Sequence, residues 1–234
     1  AYVGESVSNP EKYYKNNLEN GLLFLNTLIK NKVNKLVFSS SCATYGEISA
    51  NPINEQTQTN PINPYGKSKR MFEQILLDYQ IAFNLSSVAL RYFNAAGADN
   101  ELEIGEDHQP ETHLIPLAIK AAYDPDYTLT VFGNDYKTND GTCIRDYVHV
   151  SDLANAHTLA IQKIENTSSD FRIYNLGTGK GTSVKEIINT VEKMTNKKVK
   201  IKFGERRAGD PDKLIASNEQ AKLELGWDLN NSSI

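Results

Sequence analysis

Cysteine is nearly missing from this chain. Its two cysteines, Cys42 and Cys143, lie far apart without metal-ligand spacing, which argues against a disulfide-stapled scaffold or a zinc module and fits a reducing, cytoplasmic setting. Long apolar runs are absent too: no stretch approaches the roughly 18 residues of a membrane span, and no secretory signal is visible, so no membrane partner is expected. Basic runs stop at short pairs such as Lys197-Lys198, and the net charge is −4, so a nucleic-acid partner is not expected either. Internal repeats and low-complexity tracts are missing. Asn84, Asn166 and Asn231 open glycosylation-like triplets, expected to be coincidental in the cytoplasm. The opening Ala1-Tyr2-Val3-Gly4-Glu5-Ser6 has no methionine, no strand and no Gly-rich turn, and the expectation is a fragment.

What is present has a centre. In Asn63-Pro64-Tyr65-Gly66-Lys67-Ser68-Lys69, Asn63 can cap a helix and Pro64 suits its first position. Phe72, Leu76, Tyr79 and Phe83 then step by three or four, so a helix runs to about Asn84. Tyr65 and Lys69 share one face of it. A phenol ionises near pH 10, and an ammonium about 5 Å away favours the phenolate by roughly 3 kcal/mol at an effective dielectric of ~20. The expectation is therefore a tyrosine made acidic by its lysine. About one Tyr-x-x-x-Lys arises by chance in such a chain, so the pair draws its weight from context.

That context is a pair of strands. Lys35–Phe38 reads as one and feeds Ser39-Ser40-Ser41, which offers small hydroxyl groups to a ligand or forms an ordinary polar turn. Ser87–Phe93 reads as a second, ending in Asn94-Ala95-Ala96-Gly97. Strand ends beside helices are where ligands bind in open α/β folds. Upstream, Asn9-Pro10 starts a helix on which Tyr14, Leu18, Leu22, Leu25 and Ile29 recur; Asn16 and Asn17 within it face solvent or a ligand.

Downstream, Asp99 to Pro110 is acidic and reads as a solvated loop rather than a metal site, for want of a histidine pair at ligand spacing. His113-Leu114-Ile115-Pro116 leads into a helix, and Leu129–Phe132 is a strand followed by a long loop to Arg145-Asp146-Tyr147. Gly177-Thr178-Gly179-Lys180-Gly181 matches neither phosphate-binding template and is expected to be a tight turn, with Ser183 capping the helix that follows. Arg206-Arg207-Ala208-Gly209-Asp210 suits a diphosphate and a ribose, or is a solvated charged loop.

With Ser39-Ser40-Ser41, Tyr65 with Lys69, Leu90-Arg91-Tyr92-Phe93-Asn94, the run from Phe132 to Tyr147, and Arg206 to Asp210 all in order, the chain resembles the UDP-glucose 4-epimerases of the extended short-chain dehydrogenase/reductase family. The run Phe132-Gly133-Asn134-Asp135-Tyr136-Lys137-Thr138-Asn139-Asp140-Gly141-Thr142-Cys143-Ile144-Arg145-Asp146-Tyr147 is its most specific part. Relative to that family the chain lacks the first βαβαβ half with the Gly-rich pyrophosphate turn, and it stops early after Trp227.

The resemblance implies an α/β fold: a doubly wound parallel sheet binding NAD, over residues 1–94 and 146–178, with a smaller substrate domain over 95–145 and 179–234. It implies that Tyr65 takes the proton of the sugar 4-hydroxyl while NAD accepts hydride from carbon 4, that Lys69 binds the nicotinamide ribose, and that Ser41 hydrogen-bonds the reacting oxygen. Asn16, Ser39, Ser40, Tyr92 and Phe93 would lie around NAD. Asn94, His113, Leu114, Phe132, Arg145, Arg207 and Asp210 would hold a UDP-sugar, Phe132 covering the uracil and Arg207 pairing with phosphate. Leu214 would limit the bulk of the sugar's second substituent. Dehydratases of similar build place acidic residues just after the position of Ser41, where this chain has Cys42 and Ala43, so the chemistry should stop at carbon 4. A UDP-xylose/UDP-arabinose 4-epimerase is the nearest alternative, and a non-catalytic nucleotide-sugar binder of the same fold another. A homodimer is expected from the same resemblance.

Overall fold

The computed structural model describes residues 3–48, 52–99, 101, 103–165, 167–207 and 210–232; Ala1, Tyr2, Asn166, Ala208 and Gly209, which entered the readings above, lie outside them. Helices α1 (Val3–Ser8), α2 (Pro10–Tyr14) and α3 (Asn20–Lys30) open the chain. Asn9 caps α2 by accepting from Lys12 N, and a wider π turn over Lys15–Glu19 joins α2 to α3. A helical repeat in the sequence does not reveal such a turn, because it adds a residue without changing composition.

The remaining helices are α4 (Pro64–Phe83), α5 (Leu114–Tyr123), α6 (Val150–Glu165), α7 (Val184–Thr195) and α8 (Glu219–Leu225). The strands are β1 (Lys35–Ser41), β2 (Ser86–Tyr92), β3 (Asn94–Ala96), β4 (Leu129–Phe132), β5 (Ile144–Arg145), β6 (Tyr147–His149), β7 (Phe171–Leu176), β8 (Thr182–Ser183), β9 (Ile201–Gly204) and β10 (Lys213–Leu214). Strand β1 is longer than its apolar residues suggest, because Ser39, Ser40 and Ser41 stay in register with Leu90, Arg91 and Tyr92.

The main sheet has the order β1-β2-β7, all parallel. Its two faces are both covered, as the alternation of side chains along a strand requires. On one face Leu36 and Phe38 of β1 pack with Leu25 of α3 and Phe72 and Leu76 of α4. On the other, Val37, Val88, Leu90, Tyr174 and Leu176 pack with Leu153, Ala156 and Ala160 of α6 and with Trp227. Burying such side chains stabilises by about 1.5–3 kcal/mol each, and the two layers fix where the strand ends emerge.

A second core joins Ala118 and Ala121 of α5, Val131 of β4, and Ile188 and Val191 of α7. There β4 pairs with β9 in parallel, while β10-β5-β8 forms a small mixed sheet and β3 pairs with β6. No helix among the described residues is long and apolar enough to cross a membrane.

Candidate active site

Helix α4 begins as its sequence requires. Asn63 is extended and its side chain accepts from Gly66 N at 2.8 Å, with Pro64 in the first turn. Gly66 is dictated by contact: a Cβ there would meet the Ala43 carbonyl oxygen at 2.3 Å. The start of α4 is thereby pressed against the 3₁₀ turn Cys42–Thr44 that follows β1. This brings Tyr65 and Lys69 to the ends of β1 and β2.

The three groups of the expected centre do converge. The Ser41 hydroxyl accepts from Ala43 N at 3.2 Å and lies beside the Tyr65 phenol, favouring its ionisation. Lys69 Nζ is 5.8 Å from the Tyr65 ring centroid and 4.8 Å from that of Phe38. Its hydrogen bond, however, goes to the Ser39 carbonyl at 2.9 Å. Burial, opposed by Ser41, pushes the phenol up to about 12, and burial pulls the Lys69 ammonium down. The expected acidic tyrosine is therefore corrected: burial raises the phenol, and Lys69 directs a hydrogen bond to the Ser39 carbonyl.

The residues expected around NAD divide. Ser40 is wholly buried and its hydroxyl donates to Glu73 Oε1 at 2.6 Å, so its side chain offers nothing to a cofactor. Phe93 is likewise a core residue, packed with Tyr45, Ile53 and Ala216, while its N–H donates to the Leu176 carbonyl. Asn16 is exposed and donates to Asn17 Oδ1; Asn17 is the one that reaches α4, donating to Ser68 Oγ at 2.9 Å. Ser39 Oγ lies 3.0 Å from His157 Nε2, and the Tyr92 ring stands 6.4 Å from that imidazole.

On the far side of the cleft the groups pair with one another. Buried Arg145 forms an ion pair with Asp210, which also accepts from the Tyr136 hydroxyl at 3.3 Å. Arg206 is turned to Asp135 at 2.7 Å and stacks on Tyr136, whereas exposed Arg207 lies 4.2 Å over the Phe132 ring. Asn94 pairs with Tyr147 across β3 and β6 and donates from its N–H to the Asp146 carbonyl. Leu114 opens α5 and packs on the second core, and Leu214 borders the cluster of Tyr45, Ile53 and Phe93.

The acidic segment is solvated as expected, with Glu103, Glu106 and Asp107 exposed. It folds so that His108 and His113 both meet Glu106 Oε1, at 2.9 and 2.7 Å, and Glu111 Oε1 lies 2.8 Å from His113 Nδ1. Folding thus brings His108 and His113 beside Glu106 and Glu111, a pair that sequence spacing did not suggest. Ligands sharing an ion at 2.0–2.1 Å stand about 3.3 Å apart, so the observed spacing is that of hydrogen bonds between rings and carboxylates.

Sequence reading missed Glu73 and His157 and gave Asn17 and Asp146 no role. Glu73 makes a two-pronged pair with Arg91 of β2, at 2.8 and 2.5 Å. Asp146 closes the Gly177–Gly181 turn, accepting from Thr178 N, Gly179 N and Ala216 N at 2.7, 3.0 and 3.1 Å. The turn's N–H groups thus hold the chain's own carboxylate, and a Cβ on Gly177 would strike it at 2.6 Å. The one available signal was Glu73's place one turn beyond Lys69.

The NAD dependent epimerase/dehydratase family matches residues 1–177. A UDP-glucose 4-epimerase of Rhizobium leguminosarum bv. trifolii is 49% identical over 225 residues, covering 96% of this chain and 68% of that protein. The crystal structure of UDP-glucose 4-epimerase from Brucella ovis in complex with NAD superposes with a TM-score of 0.96 at 48% identity, covering 100% of this chain and 71% of that one. The Bifidobacterium longum enzyme in complex with NAD+ and UDP gives 0.92 at 41% identity, covering 98% and 69%.

Proposed function

This chain belongs to the NAD dependent epimerase/dehydratase family, and we propose that it interconverts UDP-glucose and UDP-galactose by oxidation and re-reduction at carbon 4. The observation that carries the reading is the meeting of Ser41, Tyr65 and Lys69 at the C-terminal ends of parallel strands, with Cys42 and Ala43 where a dehydratase would need carboxylates. Bound NAD supplies the hydride acceptor and donor. The donor set present suits its nicotinamide ribose: a half-desolvated ammonium, a phenol and a hydroxyl on adjacent elements.

The chain's own part in the reaction is proton handling and orientation. Tyr65 takes the proton of the sugar 4-hydroxyl and returns it to the carbonyl oxygen, Ser41 holds that oxygen, and Lys69 stabilises the phenolate when it forms. Because burial holds the phenol's own proton, Tyr65 accepts from the 4-hydroxyl only after that proton has left to solvent, a state the ammonium 5.8 Å from its ring favours; the phenol so formed is the acid of the return step. Exposed Arg207 and the Phe132 face are suited to the diphosphate and base, with Arg145, Asp210, Asn94, His113 and Leu114 completing that wall. Residues 1–94 and 146–178 serve the cofactor side and 95–145 with 179–234 the sugar-nucleotide side, except that Ala221, Leu225 and Trp227 pack on the main sheet.

Two further readings accompany this one. The exposed apolar residues Leu23 and Phe24 on α3 and Leu77 and Ile81 on α4 support pairing with a second copy through these helices, which light scattering would check. Free cysteines at 42 and 143 fit a cytoplasmic enzyme. The deciding experiment offers the NAD-loaded enzyme UDP-galactose, UDP-xylose and UDP-N-acetylglucosamine in parallel. Fastest turnover of UDP-galactose is expected; a preference for UDP-xylose would move the assignment to pentose sugars.

A further inference from the structure

The ammonium of Lys69 is held by one backbone carbonyl, that of Ser39, and the peptide bearing it is gripped from both faces of the sheet. Because side chains alternate along a strand, Ser39 points with Val37 to the α6 side and Ser40 with Phe38 to the α4 side. On the α4 side the Ser40 hydroxyl donates to Glu73, itself fixed by Arg91. On the α6 side the partner is His157. Its Nδ1 lies 2.8 Å from the Leu153 carbonyl, which can only accept, so Nδ1 carries the proton. In the neutral ring Nε2 is then a bare lone pair, to which the Ser39 hydroxyl at 3.0 Å donates.

We propose that His157 is a positioning residue of the epimerase site, setting the orientation of the Ser39–Ser40 peptide and, through its carbonyl, the place of Lys69. This rests on the functional reading above. His157 is half-buried and one element away from the reacting groups, so its effect passes through Ser39. A misplacement of about 1 Å can lower a rate by up to ~100-fold without weakening binding, and loosening one of two grips should cost less.

The test compares H157L, H157Q, S39A and the double variant S39A/H157L in the NAD-loaded enzyme. H157L and S39A are each expected to lower kcat about tenfold, with KM for UDP-galactose and melting temperature near those of the parent and, for H157L, NAD retention unchanged. H157Q, whose amide oxygen can accept from the same hydroxyl, should recover most of the rate. The double variant should lose no more than either single change, since both remove one link. Multiplying losses in the double variant, or an H157L enzyme with ordinary kcat, would overturn the proposal. S39A decides the matter alone should H157L fail to fold. A parent enzyme without epimerase activity would instead defeat the reading of the previous section.

Discussion

The charges beneath the Tyr65–Lys69 face and the arginines near Phe132 are held differently. On the β1–α4 wall, charge is sealed: Glu73 and Arg91 are 0% and 2% exposed, pair in a fork, and tie into Ser40 beneath the Tyr65–Lys69 face. Around Phe132 and Tyr136, Arg145 is likewise buried against Asp210, but Arg206 and Arg207 stay exposed, lean on aromatic rings, and rely on partners such as Asp135 that are themselves in water. The difference teaches what each wall is for. A proton-transfer group needs a fixed, dry position, whereas a site for a diphosphate gains from cations that move to meet it.

The largest effect that could break this contrast is at Tyr65. Tyr65→Phe should lower kcat by about 10²–10⁴-fold while UDP affinity, read by calorimetry, stays nearly intact; ordinary turnover would remove the phenol from its assigned role. Next comes the sealed pair. Glu73→Ala leaves Arg91 buried without its partner and should cost about 3–5 kcal/mol in denaturant unfolding, whereas Glu73→Met with Arg91→Met should recover most of that loss without restoring turnover. Equal stability of Glu73→Ala and parent would mean that the pair is open to water after all.

Alkaline titration sharpens the same contrast. Burial pushes Tyr65 and Tyr136 up to about 12 and raises Tyr45, Tyr147 and Tyr174 as well. The folded chain therefore keeps protons that an unfolded one releases near pH ~10. Stability is fully present below about pH 10 and falls as pH rises towards 12, which melting curves over pH 8–11.5 (roughly the accessible range) would follow. A flat melting temperature across that range would contradict the buried phenols. Smallest of the four is Arg207→Ala: UDP-sugar binding should weaken about tenfold, or ~1.4 kcal/mol, with kcat nearly unchanged. A fall in kcat with no change in binding would place Arg207 on the wrong wall.

Much of the central element was legible in residue order because its determinants are local. Asn63, Pro64 and the spacing of Phe72 and Leu76 state a helix, its start and its buried face. Ser183 states the start of α7 as its N-cap, and the structure adds Glu186 to complete a capping box. The serines of β1 were harder. Ser40 looks like a ligand contact until Glu73, far along the chain, supplies its partner. The same holds for Asp146, whose carboxylate is matched by N–H groups of residues 178, 179 and 216. Pairings across such separations leave no periodic trace, and the balance between burial and charge at Tyr65 depends on packing that only the fold defines.

The π turn at Lys15–Glu19 makes the helix ahead of α3 unusually sensitive to length. One residue of an α-helix corresponds to about 100° of rotation, so deleting a single residue there would not simply shorten the segment. It would swing Tyr13 away from its edge-on approach to Tyr65, 6.2 Å between ring centres, while leaving α3 seated. Insertions and deletions at that bend act as a screw adjustment on the neighbourhood of the phenol, and engineering of this chain can use it as one.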